Sequence, residues 1–229
     1  MILFATNAAR VDDLQKFAKD KLNDFDKYRR EFARASSANR EAYDENSSSR
    51  DKPGNFHLPE VITMTYDADG REFADHLFVD AATGIARIKF KSSWEADVLA
   101  EEQGRADFVC WLRNVDRKDW ALSLVYEDDH GVTKNFFPDM LIVRRTADGF
   151  VVDVLEPHRA NITDNLGKAQ ALANYARDNP TVGRVELIRG DGNSFRRLDM
   201  SVAEIREKVL SAKTNAELDN VFAEHGKVF

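Results

Sequence analysis

Residues 135–158 read NFFPDMLIVRRTADGFVVDVLEPH, and the rest of the chain is arranged around them. Met140 to Arg145 is an apolar run that ends in two arginines. Ala147-Asp148-Gly149 is a turn signal, and Phe150 to Leu155 is a second apolar run rich in β-branched residues. The spacing predicts one antiparallel hairpin. Acids stand at its open end, Asp139 before the first strand and Glu156 at the close of the second. Side chains alternate along a strand, so Glu156 and His158 share a face and Asp153 points to the other. Asp153 is read as structural, with a place in the site as the alternative. Pro157 cannot donate to a sheet ladder, which puts Glu156-Pro157-His158 at a strand end or an edge. Two carboxylates folded together beside an imidazole make a seat for one hard divalent cation.

Several stretches carry a resemblance in order along the chain. They are Trp94-Glu95, the FVCWLRN run at 108–114, Phe137-Pro138-Asp139, Glu156-Pro157-His158 and the KAQAL run at 168–172. Together they resemble the C-terminal PD-(D/E)xK nuclease region of DEAD/DEAH-box helicases related to type III restriction subunits. The resemblance implies an α/β (α+β) fold with a restriction-endonuclease-like mixed central sheet flanked by helices. It also implies a Mg²⁺- or Mn²⁺-dependent endodeoxyribonuclease of restriction or anti-phage defence type. DNA would be its substrate and a helicase motor or another defence subunit its partner. Asp139 and Glu156 are then the expected metal ligands, with the Leu155 carbonyl a further candidate. His158 stands where the family usually has lysine, and Lys168 is placed to supply the missing cation. Glu95 is either a helix-start acid that favours the dipole or a carboxylate that approaches the metal. Arg113, Asn114 and Gln170 are expected to face nucleic acid, although an exposed strand-end pair and an ordinary helix surface explain them equally well. The alternative reading is a nuclease fold that has lost cleavage and serves as a DNA- or partner-binding module. A small-molecule enzyme ranks last, because the chain has no Gly-rich phosphate loop and no nucleophile elbow.

Composition bounds these readings. The 229 residues, 43% hydrophobic and 32% charged, suit one large domain, or one domain with an appended arm. No apolar run reaches the roughly 20 residues of a membrane helix, and Met1 to Phe4 is too short for a signal-peptide core. The single cysteine, Cys110, excludes an internal disulfide and suits a reducing cytosol, so a cytoplasmic location is expected. A net charge of −7 argues against a stand-alone binder of nucleic acid, which draws much of its affinity from Lys and Arg on phosphates. The missing P-loop means that any translocation comes from another chain or domain.

Residues 1–54 are expected to form an N-terminal helical arm and linker. Val11, Leu14, Phe17, Leu22, Phe25 and Tyr28 recur at helical spacing, and a Ser-rich stretch with Pro53-Gly54 closes the arm. Residues 55–229 are the expected nuclease-like domain. It opens with an antiparallel meander over 55–91, built from strands at 61–66, 76–79 and 85–90. A helix starts at Ser92, strands follow at 108–112 and 120–126, and a helix runs over 165–177 on a stripe of Leu166, Ala169, Leu172, Ala173 and Ala176. Short strands near 185–188 and 195–200 and two closing helices, the first with a capping box at Ser201–Glu204, complete the reading. His76, Trp111 and Trp120 are expected in the core, and Glu101 and Glu102 in solvent.

Overall fold

The computed structural model of the protein describes residues 2–6, 13–14, 16–17, 60–64 and 71–229, apart from 91, 119, 129–132, 160–163 and 192–193. Most of the expected N-terminal helical arm and its linker lie outside the described residues. In chain order the elements are β1 (Ile2–Thr6), β2 (Val61–Met64), β3 (Glu72–Phe73), β4 (Phe78–Asp80), β5 (Ala86–Arg87), α1 (Ser93–Gln103), β6 (Phe108–Arg113), β7 (Leu124–Glu127), β8 (Thr133–Phe136), β9 (Met140–Thr146), β10 (Gly149–Pro157), α2 (Asn165–Asp178), β11 (Val185–Asp191), β12 (Ser194–Asp199), α3 (Ala203–Ser211), α4 (Asn215–His225) and β13 (Lys227–Val228). None of the described helices is long and apolar enough to cross a membrane.

The expected hairpin forms. β9 and β10 pair antiparallel from Thr146↔Gly149 at the turn to Met140↔Leu155 at the open end. Gly149 takes a φ of 129°, which L side chains rarely adopt, so the turn needs a glycine there. β10 ends at Pro157, one residue past the Asp139 end of β9, where a missing ladder donor costs nothing. Helix α2 then crosses over, and β11 returns parallel to β10, pairing Val154 with Val185 and Pro157 with Ile188. The main sheet runs in the order β13-β12-β11-β10-β9-β6 and is mixed, with its other pairings antiparallel.

Alternation divides the apolar residues between two cores. Leu155, Ile188, Met140 and Ile142 pack with Trp111, Val98 and Leu99 under α1. Val154, Val185, Leu187 and Leu198 pack with Leu172, Val209 and Phe222 under α2, α3 and α4. Trp111 is fully buried, as its place in an apolar run predicts, while Trp120 is partly buried against the first core.

The N-terminal strands are short and antiparallel as expected, but they do not form a simple meander. β1 lies between β2 and β4, pairing Leu3 with Thr63 and Ala5 with Val79, so the strand at 61–64 does not pair with its successor. Residues 74–77 instead run along β6, through a parallel bridge from His76 to Trp111 and bonds from Leu77 N–H to the Trp111 carbonyl and from Trp111 N–H to the Asp75 carbonyl. The expected capping box at Ser201 is absent. Asp199 Oδ1 accepts from Ser201 N–H at 2.9 Å and holds it in the preceding turn, so α3 begins after Val202. A side-chain cap does form at α4, where Thr214 accepts from Glu217 N–H.

Candidate functional site

The register that opposes Met140 and Leu155 leaves Asp139 and Glu156 together at the mouth of the hairpin. Asp139 N–H donates to Glu156 Oε2 at 3.0 Å. Both acids line a cavity of about 410 Å³, which Glu95, His158, Lys168 and Tyr126 also line. The site therefore brings together every residue that the sequence proposed for catalysis.

Arg113, at the end of β6, ties the first part of the cluster. Its Nη1 lies 2.9 Å from Glu95 Oε2 and its Nη2 2.8 Å from Asp139 Oδ1, and all three side chains are largely withdrawn from water. Ser92 precedes α1 as predicted, but its hydroxyl donates to Glu95 Oε1 at 2.9 Å rather than capping the helix. Glu95 thus belongs to the site through Arg113. His76, buried as expected, sets the arginine's backbone, since its Nε2 accepts from Arg113 N–H at 3.0 Å and its Nδ1 donates to the Phe78 carbonyl at 2.5 Å. Burial pushes the His76 imidazole down to about 4, so it is neutral near pH 7 and keeps this acceptor role.

Three of the expected nucleic-acid contacts face inward. Arg113 is committed to two carboxylates. The Asn114 amide donates to the Leu122 and Pro138 carbonyls and accepts from Leu122 N–H, pinning the loop before Asp139. Gln170 lies on the side of α2 that meets α3, where it donates to the Ala212 carbonyl at 2.9 Å. Sequence periodicity placed these residues on elements but did not say which neighbour would absorb their polar groups.

The second part of the cluster follows β10. His158 Nδ1 lies 3.1 Å from Glu156 Oε1, and a carboxylate there requires that Nδ1 carry the hydrogen, which leaves Nε2 with a lone pair. Burial, reinforced by the Lys168 ammonium, pushes His158 down to about 4, so it too is neutral near pH 7. Lys168 Nζ lies 3.0 Å from Asp164 Oδ2, and the Tyr126 hydroxyl donates to the same oxygen at 3.1 Å. Gly167 permits this approach of α2 to β7, because a Cβ there would fall 2.5 Å from the Glu127 carbonyl oxygen. Burial works to raise the Asp164 carboxyl, yet Lys168 outweighs it and holds the group below its usual range. Asp164 and Tyr126 were not anticipated; the Asp164–Lys168 spacing, i to i+4 at a helix start, was the available signal.

The donor chemistry bears on which cation fits. Asp139 and Glu156 line one cavity, and their carboxylates are the oxygen donors that could meet a hard ion there. Among the described residues no group of three or more His, Cys, Asp or Glu side chains is arranged as a metal cage.

Fold and site together define a mixed α/β protein with an acidic cavity at the open end of its central hairpin. The chain belongs to the YagJ family, whose family model matches residues 74–228. It is similar to Protein YagJ of Escherichia coli (strain K12), with 26% identity over 171 residues that span 72% of this chain and 68% of that protein. No solved structure matches the chain.

Proposed function

We propose that this protein is a metal-dependent endodeoxyribonuclease of the PD-(D/E)xK kind, working on DNA beside a helicase or defence subunit in the cytoplasm. The observation that carries the reading is the meeting of Asp139 and Glu156, joined through a 3.0 Å bond at the mouth of one hairpin, in a cavity shared with His158 and Lys168. A mixed sheet flanked by helices agrees with the restriction-endonuclease-like fold that the resemblance implies. Asp139 and Glu156 would hold Mg²⁺ or Mn²⁺, which when bound supplies an acidified water and a counter-charge for the leaving oxygen. His158, held by Glu156 with its Nε2 lone pair available, would orient or deprotonate water, and Lys168 would supply positive charge toward a phosphate. The net charge of −7 favours a partner that holds most of the DNA. Plasmid incubated with Mg²⁺ or Mn²⁺ at low salt tests this. Nicking is expected, with a loss of at least about 100-fold in Asp139→Ala and Glu156→Ala at unchanged circular dichroism. Intact plasmid with either ion after long incubation overturns the cleavage reading.

A second reading rests on Arg113, whose guanidinium already occupies Glu95 and Asp139. An internal counter-ion there fits a nuclease fold that binds DNA or a partner without cutting. Retained DNA binding with no heat on Mg²⁺ or Mn²⁺ titration selects it.

A further inference from the structure

We propose that His158 Nε2 and Asp164 Oδ1 form a second cation position, one that takes a borderline transition metal such as Zn²⁺. This position is separate from the Asp139–Glu156 seat and does not depend on the nuclease reading; a cation bound there takes the Nε2 lone pair that the nuclease reading gives to water. Both atoms are buried and have no hydrogen-bond partner among the described residues, and they lie 3.7 Å apart. His158 itself is 7% exposed. The hydrogen on Nδ1 makes Nε2 an acceptor, and the carboxylate oxygen is an acceptor too. Two acceptors cannot bond each other, and 3.7 Å is beyond hydrogen-bond range. The pair is arranged for something positive between them.

The outer contacts are those a ligated metal requires. A metal-binding imidazole commonly donates its other ring N–H to a carboxylate, which fixes its tautomer, and Glu156 Oε1 stands 3.1 Å from Nδ1. A ligating carboxylate is likewise held by hydrogen bonds, and Lys168 and Tyr126 occupy the other Asp164 oxygen. Ligand distances of about 2.0–2.1 Å from each atom across the 3.7 Å gap give an N–metal–O angle of about 130°, wider than an ideal tetrahedron and suited to a distorted four- or five-coordinate zinc. One imidazole nitrogen with one carboxylate oxygen favours Zn²⁺ over Mg²⁺, which prefers an all-oxygen shell. With two protein ligands, the remaining positions would be left to water or an anion entering from the cavity that His158 lines.

The test is calorimetric titration of the full chain with ZnCl₂ and, separately, MgCl₂. Zn²⁺ affinity is expected to fall by about 100-fold in His158→Asn and in Asp164→Asn, while Mg²⁺ heat persists in Asp164→Asn and is lost in Asp139→Asn. Should a variant fail to fold, the ¹⁵N resonance of His158 Nε2 in the wild-type protein decides the matter, and it is expected to shift during Zn²⁺ titration. Unchanged Zn²⁺ affinity in both variants, or an Nε2 resonance unmoved at saturating Zn²⁺, overturns the proposal and leaves a bridging water between the two acceptors. Loss of plasmid nicking alone bears on the nuclease reading and not on this one.

Discussion

Two charge clusters flank the central hairpin, and they are built from the same residue types. One surrounds Asp153, which is fully buried and points to the face opposite Glu156. There Glu102, Asp107, Asp153 and Glu186 meet Arg144, Arg184 and Arg197, with Arg105 at the rim, so acids and bases balance. Asp153 alone accepts from Arg144 Nη2 at 2.8 Å and from Arg184 N–H and Nε at 2.8 Å each. The other cluster sets Glu95, Asp139, Glu156 and Asp164 against Arg113 and Lys168, with a neutral histidine. It opens on a cavity that Asp116 and Arg159 also line. A cluster closed on itself holds the sheet together; one that opens on a cavity leaves carboxylates where a ligand can enter.

That contrast is broken most sharply at Asp153. Asp153→Ala removes a fully buried carboxylate that accepts from both Arg144 and Arg184, although Asp107, Glu102 and Glu186 stay with them, and urea denaturation is expected to show a loss of about 3–5 kcal/mol with Mg²⁺ binding per folded molecule unchanged. Acid should act next most strongly, through His76. Its folded value of about 4 lies below the ordinary 6.5, so the unfolded chain takes up a proton first as pH falls. Stability is full above pH 6.5 and drains away toward pH 4, by on the order of 3 kcal/mol. Denaturation midpoints followed across that range should fall, and His76→Gln should make the fall shallower, leaving the share of His158, whose folded value is likewise about 4. Asp139→Ala is expected to cost less, about 1–3 kcal/mol, because Asp139 is less buried than Asp153 and meets one arginine where Asp153 meets two; a loss as large as that of Asp153→Ala would erase the distinction between the two clusters. Thr214→Ala, in neither cluster, should cost about 1 kcal/mol in thermal denaturation and leave metal titrations unaltered.

The hairpin was legible because its signals are local: β-branched runs, Asp148-Gly149 and Pro157 lie within a few residues of the contacts they govern. The Asp139–Glu156 meeting follows from that register, and α2 from its own apolar stripe. Glu102, read as solvated, is buried because Arg184 and Arg197 reach it from 82 and 95 residues away. No pattern around Glu102 announces such partners. Residues 2–6 were likewise opaque as a strand, since both neighbours of β1 arrive from more than fifty residues downstream. Gln170 and Asn114 were expected to face nucleic acid, or else to lie on the surface, whereas here the carbonyls at 212, 122 and 138 needed donors.

The segment that runs along β6 has a consequence for how copies of the protein meet. A bare border strand is a template on which another chain can add and polymerise. By laying Asp75, His76 and Leu77 against Trp111, the molecule seals that border with its own backbone. The opposite border ends in the two residues of β13, both well exposed and too short to template a long pairing. Fibril-like growth through the main sheet is thereby discouraged at both margins.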